Sequence, residues 1–443
     1  MFNSVYIPIG VPTFHLESAQ KEFEKSIKLL KGIDNDVIVP SEMLLSIDKL
    51  NDFMAEQNPD LLIVQNITFA NGAYITEVLR KFDCPVLLWT LREPVIDGGR
   101  LRLNSLTGAF SAANALRNFK RKFEYIFGSP EEDEVREKIS SVFAAAKLKK
   151  ALMSLNILQI GHTPQGFGFG RALDHEMAVT FGSNLLSIEA RELIDRAKSY
   201  SDDDIKEYLD DAKTRIKDLC SIDSKNVNDF AKLYKAYDSY IKENNIGALS
   251  SRCWPDFFTS FGTPVCAVLA ILNDLNLPAA CETDTYGALS MYMSLYLTGK
   301  PAFFGDPVSL DEKENTITFW HCGTAACSLA REDTGAVAGV HCNRKIGPTL
   351  EFGCKAEEKV TIIRVGKDEN GKFRLFLCKG SALDKPKQFI GTSIVVKTEN
   401  NSKDIINKAV TAGWEPHFAV AMGDICSEME ALSNFLGIEV EKY

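Results

Sequence analysis

Short apolar runs alternate with helix-forming segments through roughly the first 300 residues, and this alternation constrains the fold more than any other feature. FNSVYIPIG reads as a strand, and Glu17 to Leu30 as an amphipathic helix. DVIVP, DLLIVQN and PVLLWT follow as short apolar runs with helix-like segments between them. Strands that are apolar on both faces need cover on both faces, which the crossover helices of a parallel sheet supply. Residues 1–150 are therefore expected to form a doubly wound, Rossmann-like α/β domain. The charged helical stretch SPEEDEVREKISSVFAAAKLKKALMSL leads into a second such unit, 151–299. That unit restarts at LNILQIG and continues through NLLSIE, GALSSRCWP and LPAACE. It closes with the helix TYGALSMYMSLYLTG.

After about Lys300 the pattern changes. ENTITFWHC, EKVTIIRVGKDENGKFRLFLCKG and FIGTSIVVKTEN are β-rich, and KDENGK between two alternating runs reads as a hairpin turn. SKDIINKAVTAG, HFAVAMG, DICSEMEALSNFLG and IEVEKY return to an α/β pattern. The expected class is α/β: two doubly wound α/β domains, then a β-containing C-terminal domain over 300–443. A chain of 443 residues is too long for one ordinary core, which agrees with such a division.

A net charge of −10 argues against a nucleic-acid partner, since a phosphate-binding surface needs clustered Lys and Arg. No apolar stretch is long enough to span a membrane. MFNSVYIPIG lacks the basic region and small-residue cleavage site of a secretory signal and reads as a first strand, so a cytoplasmic location is expected. The 11 cysteines are scattered without a CxxC pair and read as reduced, mostly buried thiols.

GFGFGR, Gly166 to Arg171, lies between a strand and a helix, where backbone N–H groups can hold an anion. It is neither G-x-G-x-x-G nor a P-loop, so it reads as a tight turn or a substrate-side loop. Chemistry-bearing side chains gather instead at strand ends, where open α/β sheets bind ligands. Glu282 ends LPAACE, Asp306 ends PAFFGD, and His321 lies near the end of ENTITFWHC. His417 begins HFAVAMG, and His162 follows LNILQIG. Each has an ordinary structural reading. Asp284 is placed to cap the helix beginning at Thr285, Asp306 before Pro307 suits a turn, and His417 after Pro416 suits a strand start. His15 and His341 read as surface or core residues. Two carboxylates with one or two imidazoles suit Mn²⁺ or Mg²⁺ better than a structural zinc.

At these residues the sequence resembles the L-fucose isomerase and L-arabinose isomerase superfamily. CETDTYGALSMYMSLYLTGKPAFFGD is similar to the family segment carrying two metal ligands, here Glu282 and Asp306, 24 residues apart. HFAVAMGDICSEMEAL resembles the segment whose leading histidine is the third ligand, here His417. HCGTAA resembles a turn near the pocket, and His321 matches a metal-site histidine of the arabinose branch. Trp89 in LLWT resembles a tryptophan that faces substrate from a neighbouring subunit. Asp424 stands where the fucose enzymes carry a histidine, and the chain is shorter than theirs, so substrate preference does not transfer. The resemblance implies a homo-oligomer, often a hexamer, with its active site near a subunit interface.

It also implies a metal-dependent aldose–ketose isomerase. Mn²⁺, or another divalent metal such as Mg²⁺ or Co²⁺, would be held by Glu282, Asp306 and His417. The two carboxylates would also serve as the catalytic pair for C1/C2 proton transfer through an enediol. Substrate-contact candidates are Trp89, His162, Gln165, Arg171, Arg252 and Trp254. A basic group near the far end of the sugar would suit an anionic substituent. This makes sulfoquinovose, a C6-sulfonated glucose, a candidate beside L-fucose-like and D-arabinose-like sugars. Arg100, Arg102, Arg171 and Arg252 are the arginines in expected loops or strand ends, with Arg100 and Arg102 read as surface groups. The alternative is a non-catalytic sugar-binding or regulatory protein on the same scaffold.

Overall fold

The structure, a computed structural model, describes residues 2–443. It divides into two compact units, Met1–Ala151 with Ser427–Gly437, and Leu152–Cys426 with Ile438–Tyr443.

In the first unit the strands Ser4–Ile9, Leu61–Asn66, Val86–Thr90 and Glu124–Phe127 lie side by side in that order, all parallel. The first three are buried at every position, which is why their sequences are nearly unbroken apolar runs. Two of their polar groups pair with each other: the Tyr6 hydroxyl donates to Gln65, whose amide donates to Ser26 Oγ at 3.0 Å. The helix Leu16–Ile33 starts at His15, whose ring nitrogen accepts the Ser18 N–H, so this histidine is an N-cap. The late helix Cys426–Leu436 was expected to belong with the C-terminal domain. Most of it joins the first unit, where Asn434 donates to the Phe123 carbonyl at 2.9 Å and Ser141 donates to Glu428 at 3.1 Å.

The second unit holds two sheets. One is parallel, in the order Asn184–Ile188, Asn156–Ile160, Ala248–Ser251, Ala279–Cys281. The other has nine strands. Within it Phe303–Asp311, Thr316–His321, Thr392–Thr398, Phe373–Leu383, Glu357–Lys367 and Phe418–Ala421 pair successively, and the last pairs back onto the first. The β-rich region therefore closes into a six-stranded barrel, which leaves these strands no free edge. The expected KDENGK hairpin is the turn joining Glu357–Lys367 to Phe373–Leu383, where Asp368 accepts the Asn370 and Lys372 N–H groups. The change of texture near residue 300 separates two sheets rather than two cores. Leu158, Leu249 and Cys281 of the parallel sheet share one apolar cluster with Phe303, Phe319 and Ile362 of the barrel.

The helix Thr285–Thr298 is buried along most of its length, consistent with a sequence that is apolar all round. Its internal hydroxyls bond back to the preceding turn, Ser290 to Tyr286 O and Ser294 to Ser290 O, each at 2.8 Å. Gly287 is required by packing, because a Cβ there would collide with the Phe304 ring.

One buried amide ties the elements behind the site together. Asn273 donates to the carbonyls of Ala279 and Thr324, both at 3.0 Å, and accepts the Ala279 N–H at 2.8 Å. Asn273→Leu leaves these backbone groups unpaired in the core. It should lower stability by about 3 kcal/mol, read as a fall in the urea midpoint at unchanged slope.

Candidate active site

The site is built at the turn from the strand Ala279–Cys281 to the helix Thr285–Thr298. Glu282 and Thr283 both adopt left-handed backbone, with φ of 58° and 56°. This conformation costs side-chain-bearing residues about 1–2 kcal/mol each. Thr283 offsets part of that cost, its hydroxyl donating to the His162 carbonyl at 3.2 Å. The turn reverses the chain within two residues, leaving Glu282 in the cavity and Asp284 in the wall.

Asp284 caps the helix, accepting the Gly287 N–H at 2.9 Å on Oδ1. Its Oδ2 meets His417 Nδ1 at 2.9 Å and also receives the Arg364 guanidinium, which is wholly buried. The opposite ring nitrogen of His417, Nε2, lies 3.0 Å from Glu282 Oε2 and 3.5 Å from Asp306 Oδ1. Barrel register makes this possible: Asp306 pairs across from Trp320, beside His321, and Gly305 pairs with Phe418, beside His417. Ligand atoms of Glu282, His321 and His417 all lie within 4.8 Å of one another. Phe304, Phe167 and Phe169 surround the His417 ring at centroid distances of 4.9, 6.2 and 5.3 Å. Gly170 lets that loop lie against the turn, because a Cβ there would stand 2.8 Å from the Asp284 Cα. A cavity of about 340 Å³ opens over the cluster, lined by Glu282, Asp306, His321, Trp254, Trp320 and Arg344 among others.

Two family models match the chain: the fucose/sulfoquinovose isomerase N-terminal domain over residues 13–153, and the L-fucose isomerase C-terminal domain over 320–443. A sulfoquinovose isomerase of Clostridium sp. (strain MSTE9) is 58% identical over 443 residues, covering 100% of this chain and 99% of the relative. The sulfoquinovose isomerase of Priestia aryabhattai is 37% identical, covering 99% of this chain and 98% of its own. That of Alkalicoccus urumqiensis is 36% identical, covering 99% of both. The chain belongs to the fucose/sulfoquinovose isomerase family. It is an aldose–ketose isomerase.

The family is generally metal-dependent, and the donor set of this isomerase fits a divalent cation. Carboxylate oxygens from Glu282 and Asp306 converge on the same space as imidazoles from His417 and His321. Such a mixed oxygen and nitrogen set suits Mn²⁺, Mg²⁺ or Co²⁺. Asp284 behind His417 is a carboxylate–histidine arrangement of the kind that fixes the orientation of an imidazole. Electrostatics separate the two cavity carboxylates. Burial pushes Asp306 above the usual carboxylate range. Burial also acts to raise Glu282, but the His417 hydrogen bond and the nearby imidazoles outweigh it and hold Glu282 low. Burial opposes protonation of His417, yet Asp284 and Glu282 on its two nitrogens raise it to about 9. Asp284 stays well below the usual range, the Arg364 charge and His417 together exceeding the effect of its burial.

Of the residues expected from the sequence, Glu282, Asp306 and His417 come together, with His321 beside them and Trp254 donating to Glu282 Oε1 at 3.2 Å. Trp89 does not join them. It is a core residue of the first unit with no exposed surface, its indole N–H donating to the Gly128 carbonyl at 2.9 Å, so it has no face to offer a substrate. His162, Gln165 and Arg171 are exposed on the glycine-rich loop, and His162 faces Glu189 at 3.7 Å. The phenylalanines of that loop, not its polar residues, reach His417. Arg252 is engaged by Asp256 at 2.7 Å. Arg102 pairs with Asp97, and Arg100 donates to the Thr13 carbonyl. Asp424 pairs with Lys379 at 2.9 Å.

Asp284 does more than the capping role expected of it, since the same carboxylate holds His417. Arg364 was not anticipated. Its one signal is a lone charge within TIIRV, an apolar run on a strand buried at that level. The cysteines, scattered in sequence, are partly gathered in space. Cys266 and Cys322 sulfurs lie 3.9 Å apart, and Cys322 lies 3.4 Å from His321 Nδ1.

Arg364→Met removes the counter-charge of a buried carboxylate and should cost about 3–5 kcal/mol, measured by chemical denaturation. The raised His417 carries a second expectation for metal-free protein. Its stabilising contribution is complete below the unfolded-state value near 6.5 and is lost as pH rises through about 9. Thermal scans of chelator-treated protein should therefore show a melting temperature falling across that window, and His417→Gln should flatten the fall.

Proposed function

We propose that this isomerase interconverts sulfoquinovose, the C6-sulfonated glucose, and the corresponding 2-ketose, using a divalent metal, Mn²⁺ foremost, held by Glu282, Asp306 and His417 with His321 beside them. The reading rests on one observation above the others: two carboxylates meet one nitrogen of an imidazole whose other nitrogen is held by a buried carboxylate. The full-length relatives named for sulfoquinovose support the choice of sugar. When bound, such a metal would supply Lewis-acid polarisation of the substrate.

The remaining chemistry is proton movement. Glu282, held in its charged form, is suited to remove the C2 proton of the aldose. The electron pair left behind forms the C1–C2 double bond, and O1 takes up a proton. Asp306, beside the same imidazole, is suited to exchange protons with the substrate hydroxyls. Loss of the O2 proton and return of a proton to C1 complete the ketose. His417 is kept from rotating by Asp284, and Trp254 and His417 between them fix the two oxygens of Glu282. The non-catalytic sugar-binding alternative draws no support from relatives that are themselves isomerases. A homo-oligomer, taken as a hexamer with the site near a subunit interface, belongs to the same proposal, as does a cytoplasmic setting. Among the described residues no helix is long and apolar enough to cross a membrane.

Glu282→Gln and Asp306→Asn should each lower kcat by more than about 1,000-fold with the fold retained, since each removes a ligand charge and a proton acceptor. NMR of the Mn²⁺-restored wild type in D₂O should show deuterium entering C1 of the ketose. Turnover without exchange would replace the enediol route by a hydride shift, and near-normal activity of Glu282→Gln would refute the site assignment.

A further inference from the structure

The cavity over the carboxylate–imidazole cluster carries one cation that neither the metal reading nor the proton chemistry uses. Arg344 stands at its exposed rim. The guanidinium carbon lies 5.4 Å from the Trp254 ring centroid and 5.8 Å from that of Phe258, so two aromatic rings flank it. Among the described residues no carboxylate pairs with it, in contrast to Arg252 next to the same cavity, which is engaged by Asp256. The loop that presents it is anchored. His341, buried and edge-on to Phe258 at 5.1 Å, accepts the N–H groups of Asn343 and Arg344 on Nδ1, both at 3.3 Å.

Trp254 relates this cation to the reacting end of the cavity. Its indole N–H holds Glu282 Oε1 at 3.2 Å, while its ring lies against Arg344. The cluster and the guanidinium are thus separated by about one indole, on the scale of a hexose chain. A guanidinium flanked by aromatic rings and without a carboxylate partner can make paired hydrogen bonds to an oxyanion. On a chain of net charge −10, an arginine without a carboxylate that faces a cavity is poised for an anion from outside.

We propose that Arg344 binds the anionic group at the far end of the sugar and so selects C6-anionic aldoses over neutral ones. This rests on the sulfoquinovose reading above and identifies the residue that would enforce it. None of the arginines singled out from the sequence has this position.

The test compares Mn²⁺-loaded full-length wild type with Arg344→Gln and Arg344→Lys on sulfoquinovose, glucose 6-phosphate and 6-deoxyglucose. Arg344→Gln should lose on the order of 100-fold in kcat/KM for sulfoquinovose, mostly through KM, while 6-deoxyglucose changes by less than about threefold. Arg344→Lys should recover part of the loss, keeping the charge without the fork. Activity on glucose 6-phosphate that falls in parallel would assign Arg344 to oxyanions in general, and its absence in the wild type would narrow the subsite to the sulfonate. An equal loss on charged and neutral sugars, or a preference for sulfoquinovose that survives in Arg344→Gln, would overturn the proposal while leaving the substrate assignment intact. A wild type that converts 6-deoxyglucose but not sulfoquinovose would instead overturn the substrate assignment itself.

Discussion

A carboxylate with 1% of its side chain exposed must be neutralised from every side, and Asp284 is neutralised by a helix N-terminus, an arginine and a histidine. These partners come from three parts of the chain. The helix Thr285–Thr298 begins at this residue, Arg364 lies in a barrel strand, and His417 precedes another. Removing any partner leaves a buried charge under-compensated, so the group fixes the parallel sheet's last turn against the barrel. The same contact sets the imidazole of His417, because Nδ1 committed to Asp284 directs Nε2 toward Glu282 and Asp306. Structural and chemical roles therefore share one side chain.

This anchor produces an asymmetry between two nearby carboxylates. Glu282 takes hydrogen bonds from Trp254 and His417 and is held charged, whereas burial dominates at Asp306 and raises it. The left-handed pair Glu282–Thr283 is part of the arrangement. It places the acidic positions Glu282 and Asp284 on opposite sides of the turn, one toward the cavity and one toward the core.

Barrel closure supplies the remaining geometry. Pairing of Gly380–Leu383 with Val395–Thr398 completes the ring and fixes the register of all six strands. Asp306, His321 and His417, far apart in sequence, then arrive at one level of the barrel. The loop 341–346 at the rim adds Arg344, which among the described residues has no carboxylate partner.

The sequence by itself determined the strand–helix alternation of the first 300 residues, the β-rich region after it and the hairpin at KDENGK. Burial on one or both faces leaves a period in the residues, and that period is local. It also marked Glu282, Asp306, His321 and His417 as strand-end groups, and their resemblance to a family motif joined them into a set. Only the tertiary structure decided which other residues serve that set. Arg364 and Asp284 act through a buried contact 80 residues apart in sequence. Phe167 and Phe169, rather than His162 or Arg171, reach the imidazole, and among the described residues Arg344, unlike Arg252, has no carboxylate partner. Trp89 shows the same limit in reverse, a motif tryptophan that the fold buries in a core. Charge pairing and aromatic contact depend on which distant segments meet, and that is settled by strand register and closure, which no local pattern encodes.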